Sequence, residues 1–371
     1  MSGIERHFIS MESATAPRNG AGYYPCQGLY HTRAGEKPKT AFIATHYNVD
    51  FSEHYLAEYM AKRGFGFLGW NTRFRGAEAY FLLEHALVDI GVGVRWLQQE
   101  AGVENIVILG NSGGGSLMAA YHSQAVDPVL EATPGLKVPA AAKELIPGDY
   151  YISLCAHAGR PEVLTDWMDP SIIDETDPAS IDAALNMYDP ENGPPYSAEF
   201  IQCYRAAQVA RNDRITAWVY SELDRLRQVG MFDRAFNMHR TWADLRLMDG
   251  SIDPSDRPVG QCYAGDPKAA NFSPRSIGLN NTLRTWLSMW SLMSSPCRGA
   301  PHLAKIKLPA LVMQSLSDTG VFPGDAKNIY ELLGSTDKSL ELMAGDHYLL
   351  EPHDARDNYA DKIASWLGAR L

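Results

Sequence analysis

From about Lys39 the sequence alternates short apolar runs with amphipathic helical periods, and this alternation restricts the fold more than any other feature. Thr40–Thr45 and Phe65–Trp70 read as buried strands. Between them, Ser52–Arg63 reads as a helix capped by Ser52, with Tyr55, Leu56, Tyr59 and Met60 on one face. Leu83, Ala86, Leu87, Ile90, Val94 and Leu97 recur at helical spacing, so a long helix is predicted over 79–100. Asn105–Leu109 follows as a strand, Ser116–Gln124 as a helix and Tyr150–Cys155 as a further strand. Strands separated by helices imply an α/β fold with a mostly parallel sheet and helices on both faces.

The alternation stops near Arg160 and returns at Leu308. There, strand Ala310–Gln314, helix Pro323–Leu333, strand Ser339–Met343 and helix Asn358–Leu367 are predicted. In between, Ala198–Gln228 reads as one long helix or two shorter ones, and Thr282–Met293 as another. The expected organisation is a core of residues 1–160 and 301–371 interrupted by a mainly helical lid at 161–300. A chain of 371 residues is long for one single-core domain, which fits an insertion.

The net charge of −11 argues against a nucleic-acid surface, which needs clustered Lys and Arg. No run of about 18 apolar residues suggests a membrane span, and Met1–Asn19 has no signal-peptide pattern. The five cysteines form no CxxC pair, so neither a disulfide framework nor a zinc site is expected and a reducing cytoplasm is the default. No metal-ligand spacing or nucleotide motif appears, so no cofactor and no metal are expected. Gly64-Phe-Gly66-Phe-Leu-Gly69 matches GxGxxG by letter, but it follows a helix and enters a strand, the reverse of the dinucleotide-binding order. The expected partner is a small-molecule substrate; a homo-oligomer is compatible with the sequence.

Gly110-Asn111-Ser112-Gly113-Gly114 has the form GxSxG and lies between a predicted strand and a predicted helix. A turn this sharp needs small neighbours, and it lifts the serine hydroxyl clear of the sheet. The following helix N-terminus places backbone N–H groups where they can stabilise an oxyanion. On these residues the chain resembles the α/β-hydrolase superfamily from about residue 39 to its end, apart from the insertion. The resemblance implies a Ser–acid–His triad in that chain order. Ser112 is then the nucleophile. His347, in Gly345-Asp346-His347 after the last strand, is the base, with His353 as competitor. Asp318, in the loop after strand Ala310–Gln314, is the acid that orients the imidazole, with Asp166 and Asp169 as outside candidates. The implied oxyanion hole is formed by the backbone of Gly113 and Tyr47; the superfamily often has His-Gly where this chain has His46-Tyr47, and the tyrosine ring is placed at the wall of the acyl pocket.

His46, Arg73, His157 and Arg160 are the substrate-binding candidates, because each follows a strand at the same end of the sheet. Each has a structural alternative: His46 as a buttress of its loop, Arg73 in an Arg-Gly turn, His157 and Arg160 at the hinge of the insertion. The insertion holds twelve arginines, one lysine and nineteen acidic residues, which suits either an acidic substrate or internal ion pairs. The function expected is hydrolysis of a small-to-medium carboxylic ester through an acyl-enzyme. The alternatives are a carbon–carbon bond hydrolase of a β-diketone-like or ring-fission product and, from another class, a non-catalytic binding protein on the same fold.

Overall fold

The computed structural model describes residues 3–371. Among the described residues ten strands are present in chain order: β1 (Ile4–Met11), β2 (Cys26–Arg33), β3 (Thr40–Ala44), β4 (Gly66–Asn71), β5 (Asn105–Ser112), β6 (Tyr150–Ala156), β7 (Ala235–Asn237), β8 (Asn280–Thr282), β9 (Ala310–Ser315) and β10 (Lys338–Met343). Eight of them form one sheet in the order β1-β2-β4-β3-β5-β6-β9-β10. Only β2 runs against the others, pairing antiparallel with both β1 and β4. Strands β7 and β8 form a separate two-stranded ribbon.

The helices are α1 (Ala57–Lys62), α2 (Leu83–Gln99), α3 (Gly114–Val126), α4 (Arg160–Trp167), α5 (Ala198–Gln228), α6 (Pro267–Asn271), α7 (Leu283–Thr285), α8 (Ala300–Leu303), α9 (Pro323–Leu332) and α10 (Ala355–Gly368). Period-2 alternation sorts the central strands onto two cores. Ala41, Ile43, Ile106 and Ile108 face one core with α2 and α3, while Phe42, Ala44, Val107 and Leu109 face the other with α1 and α10. Burial on both faces explains why these strands read as continuous apolar runs. The GxGxxG look-alike is close packing, as a Cβ on Gly66 would collide with the Tyr30 hydroxyl and one on Gly69 with the Phe51 carbonyl.

Several expected boundaries move. The helix expected from Ser52 begins only at Ala57, because Ser52 is tied elsewhere: its N–H donates to Asp50 Oδ1 (2.8 Å) and its hydroxyl accepts from Asn71 Nδ2 (2.8 Å). The last helix starts earlier than expected, at Ala355. Strands β1 and β2 lie before the expected start of the alternation. Strand β1 is an edge strand with Glu5, Arg6 and His7 exposed, so it has no apolar run to announce it.

Residues 161–300 are less helical than expected. Thr282–Met293 is a short turn of α7 followed by a π-helical turn at 286–290, not one regular helix. Helix is concentrated in α5, one unbroken stretch of 31 residues. Much of the remainder is loop, held by arginines that donate to backbone carbonyls. Arg257 donates to the carbonyls of Arg246 (3.1 Å), Asp249 (3.1 Å) and Ile252 (2.7 Å), doing for these loops what a helical ladder does elsewhere. Arg240–Asp169 (2.6 Å), Arg211–Glu175 (2.7 Å) and Arg246–Asp244 (2.7 Å) pair internally. These buried arginines serve the segment's own acids rather than a substrate.

Candidate active site

Strand β5 ends in the Gly-rich turn, and α3 leaves it at Gly114. Ser112 has φ 54°, a left-handed conformation that costs a non-glycine residue about 1–3 kcal/mol and persists only where the surroundings enforce it. Asn111 supplies part of that enforcement: its Nδ2 donates to the Leu154 carbonyl (2.8 Å) and the Tyr55 hydroxyl (2.9 Å), and its Oδ1 accepts from His54 Nε2 (3.1 Å). On the helix side Gly115 lets α3 close on β6, since a Cβ there would sit 2.6 Å from Ala156 Cβ.

The loops after β5, β9 and β10 meet at one edge of the sheet, as parallel neighbours must. Ser112 Oγ lies 3.1 Å from His347 Nε2, and His347 Nδ1 lies 2.6 Å from Asp318 Oδ2. The other carboxylate oxygen, Oδ1, accepts the backbone N–H of Gly320 (2.9 Å) and Val321 (3.0 Å) and the hydroxyl of Tyr263 (2.9 Å). Asp318 is only 1% exposed, yet each of its oxygens has a donor. A carboxylate so held fixes the Nδ1–H tautomer and leaves Nε2 free to take the serine proton. His353 is exposed on its loop. Asp166 pairs with Arg205 (3.5 Å) and Asp169 with Arg240 (2.6 Å), so neither outside candidate for the acid faces His347.

A cavity of about 280 Å³ opens over Ser112 and His347. Val163, Leu164, Trp167 and Ile277 give it an apolar wall, while His46, Glu78, His157 and Arg160 give it polar groups. Three of the four substrate-binding candidates therefore line it. Arg73 does not. Its guanidinium bonds Asp89, which is wholly buried (Nε to Oδ2 2.8 Å, Nη2 to Oδ1 2.6 Å), and the Thr15 carbonyl (2.9 Å). The buried carboxylate captures the arginine and leaves nothing to offer a substrate.

Arg160 lies between two rings, 4.7 Å from the centroid of Tyr47 and 4.5 Å from that of Trp290, and its Nη2 donates to Glu78 Oε1 (2.8 Å). His46 Nδ1 faces the amide oxygen of Asn48 (3.1 Å) and the backbone N–H groups of Asn48 (3.3 Å) and Val49 (3.2 Å), while its Nε2 comes to the space beside Gly113. Burial first, and the charge of Arg160 second, hold both His46 and His157 well below the usual imidazole range, so both are neutral. The Tyr47 ring is not a cavity wall: it is fully buried, with its hydroxyl 3.0 Å from Ser116 Oγ and its ring 4.8 Å from Phe81. It faces the core because the helix–sheet interface offers both an aromatic neighbour and a partner for its hydroxyl.

Tyr263 and Glu78 are site residues that sequence reasoning missed. Neither sits in a motif: Glu78 lies in the connection between β4 and α2, and Tyr263 between β7 and β8, so no local signal marks them. Among the described residues there is no cluster of three or more His, Cys, Asp or Glu suited to a metal ion. No described helix is long and apolar enough to cross a membrane.

No protein-family model matches this sequence, and no curated protein sequence matches it either. Solved structures do match in shape. DcsB, solved in complex with its substrate analogue, is similar over 99% of this chain and 100% of its own, with 13% identity and a TM-score of 0.53. The alpha/beta hydrolase GrgF from Penicillium sp. sh18 is similar over 97% of this chain and 98% of its own, with 10% identity and a TM-score of 0.50. At such identities the likeness speaks of architecture, and it agrees with the strand order and the strand–turn–helix at Ser112: this chain has the α/β-hydrolase fold.

Proposed function

We propose that this protein is a serine hydrolase of a small carboxylic ester, with Ser112 as nucleophile, His347 as general base and Asp318 as the orienting acid. One observation carries the reading: the unbroken chain from Ser112 Oγ to His347 Nε2 (3.1 Å) and from His347 Nδ1 to Asp318 Oδ2 (2.6 Å) beneath a cavity. Ser112 Oγ attacks the ester carbonyl as Nε2 takes its proton. The backbone N–H groups of Gly113 and Tyr47 receive the oxyanion, the imidazolium protonates the leaving alcohol, and water then releases the acyl group by the same steps. Residues 161–300 act as a lid in this reading, since Val163, Trp167, Tyr263 and Ile277 all come from that segment to the cavity.

The cavity volume favours a small substrate. His46 Nε2 and Arg160 Nη1 both come to the space beside Gly113, next to the nucleophile. The Arg160 guanidinium, a donor beyond the backbone pair, suits a substrate with a second oxygen near the scissile carbonyl, and the neutral His46 imidazole stands beside it. The same observation favours the second reading, a carbon–carbon hydrolase of a β-diketone.

The test is labelling of the intact protein with a fluorophosphonate, set against Ser112→Ala, followed by rates on a panel of short acyl esters, amides and β-diketones. Labelling lost in a folded Ser112→Ala protein supports the hydrolase reading. A wild-type protein that neither labels nor turns over any of the panel would instead be a binding protein.

A further inference from the structure

Tyr263 comes to the site from the segment between β7 and β8, 55 residues away from Asp318 in the chain. It stands in a tight turn closed by reciprocal bonds, Cys262 N–H to the Gly265 carbonyl (2.8 Å) and Gly265 N–H to the Cys262 carbonyl (2.9 Å). From there its hydroxyl reaches 2.9 Å from Asp318 Oδ1 and 2.9 Å from His347 Nδ1, with its ring centroid 4.5 Å from that of the imidazole. The core is shaped to receive it. Gly320, two residues after Asp318, has no side chain where a Cβ would collide with the Tyr263 ring.

A phenol has one proton to donate. Burial and the neighbouring Asp318 push the Tyr263 hydroxyl well above its ordinary range, so it stays protonated. The His347 Nδ1–H is directed at Asp318 Oδ2, the shorter contact at 2.6 Å. The Tyr263 O–H therefore donates to Oδ1, the oxygen that the imidazole does not use. The other titratable groups around the imidazole are Tyr348, whose ring is 4.9 Å away, and, across the cavity, His46 and His157, both neutral, with Arg160 and Glu78, which pair with each other (2.8 Å).

We propose that Tyr263 is a positioning residue of the Asp318–His347 pair: it clamps the free carboxylate oxygen from the side of the insertion, so the acid is held by the core and the insertion together. The inference rests on the reading of Ser112, His347 and Asp318 given above. With the donor gone, the carboxylate is less well solvated, holds an imidazolium more strongly and is freer to rotate. The base then titrates at higher pH, and the imidazole is less often in line with Ser112.

The experiment compares wild type, Tyr263→Phe, Gly320→Ala and Ser112→Ala, each checked for folding by circular dichroism. It measures p-nitrophenyl acetate hydrolysis and fluorophosphonate labelling rates between pH 5 and 9. For Tyr263→Phe we expect kcat to fall by about ten- to a hundredfold, the range for a hydrogen bond to a charged group, with KM little changed. The acid limb of kcat/KM should move to higher pH, which a merely structural loss would not do. Gly320→Ala displaces the ring and its hydroxyl without removing the hydroxyl, since a Cβ there would collide with Tyr263 Cζ and with its oxygen, and should reproduce both effects. Wild-type kcat and an unmoved acid limb in folded Tyr263→Phe would overturn the inference; if Gly320→Ala fails to fold, Tyr263→Phe alone decides. Labelling that survives Ser112→Ala would sink the nucleophile reading itself, and this inference with it. Labelling that is lost in Ser112→Ala but indifferent to Tyr263 rejects only the latter.

Discussion

The side chain of His46 ends in the space that a side chain on Gly113 would fill, its Nε2 2.6 Å from where a Cβ would stand. Arg160 Nη1 crowds the same point at 2.8 Å. Glycine at 113 therefore does more than ease a sharp turn; it admits an imidazole and a guanidinium beside Ser112. Gly113→Ala should fold, because its φ of −56° is ordinary helical backbone. It should nevertheless lower kcat/KM by roughly a hundredfold or more, the scale of a lost oxyanion-hole donor, as His46 and Arg160 are forced aside. Steady-state kinetics on p-nitrophenyl acetate checks this, and wild-type rates would show that the two side chains are bystanders.

Asp318→Asn should keep the fold and lower turnover by about three to four orders of magnitude, because an amide no longer enforces the Nδ1–H tautomer. Asp169→Asn should do something different. It leaves the Arg240 guanidinium, only 2% exposed, without its counter-charge, and the expected loss is about 3–5 kcal/mol of stability. Urea denaturation beside kinetics separates the two. A large loss of turnover in Asp169→Asn at unchanged stability would move the acid to the earlier loop.

Arg73 was a substrate-binding candidate by sequence, and its contacts make it a stability residue. Arg73→Lys keeps the charge but loses the forked contact with the buried Asp89 and the bonds to Thr15. We expect a clear fall in the denaturation midpoint, on the order of 3 kcal/mol, with KM unchanged. A rise in KM at unchanged stability would return Arg73 to the binding site.

The pH dependence of stability has a source beneath Ser112. Burial lowers the His54 imidazole from 6.5 to about 3. Its folded value lies below its unfolded one, so between pH 6.5 and about 3 the unfolded chain binds the extra proton. Stability from this group is thus complete above pH 6.5 and is lost as pH falls, with a slope of up to about 1.4 kcal/mol per pH unit. His54→Gln keeps a donor for Asn111 Oδ1 and removes the titration. Urea midpoints from pH 7 to 4 should fall less steeply in the variant, and an unchanged slope would exclude His54 as the group.

Legibility followed the reach of each signal. The parallel core was readable because β3, β5, β6 and β9 are buried on both faces and so are mostly apolar. Strand β1 was not, because an edge strand facing water carries Glu5, Arg6 and His7 without penalty. In the segment 161–300 the long helix α5 is the periodic part, while arginine-to-carbonyl bonds, which leave no periodic trace, hold loops such as that around Arg257.

By itself the sequence determined the order of the parallel core strands from β3 onward and their helices, the strand–turn–helix around Ser112 and the loops that carry Asp318 and His347, since each is written in a local pattern of apolar period and glycine. Only the tertiary structure decided which side chains meet. Ser112 and His347 are 235 residues apart, Tyr263 and Asp318 are 55 apart, and Arg73 and Arg160, alike as arginines after strands, went one to a buried Asp89 and the other to the cavity. The reason is physical: backbone periodicity depends on near neighbours along the chain, whereas the partner of a charge or a hydroxyl depends on what folding brings within about 3 Å of it.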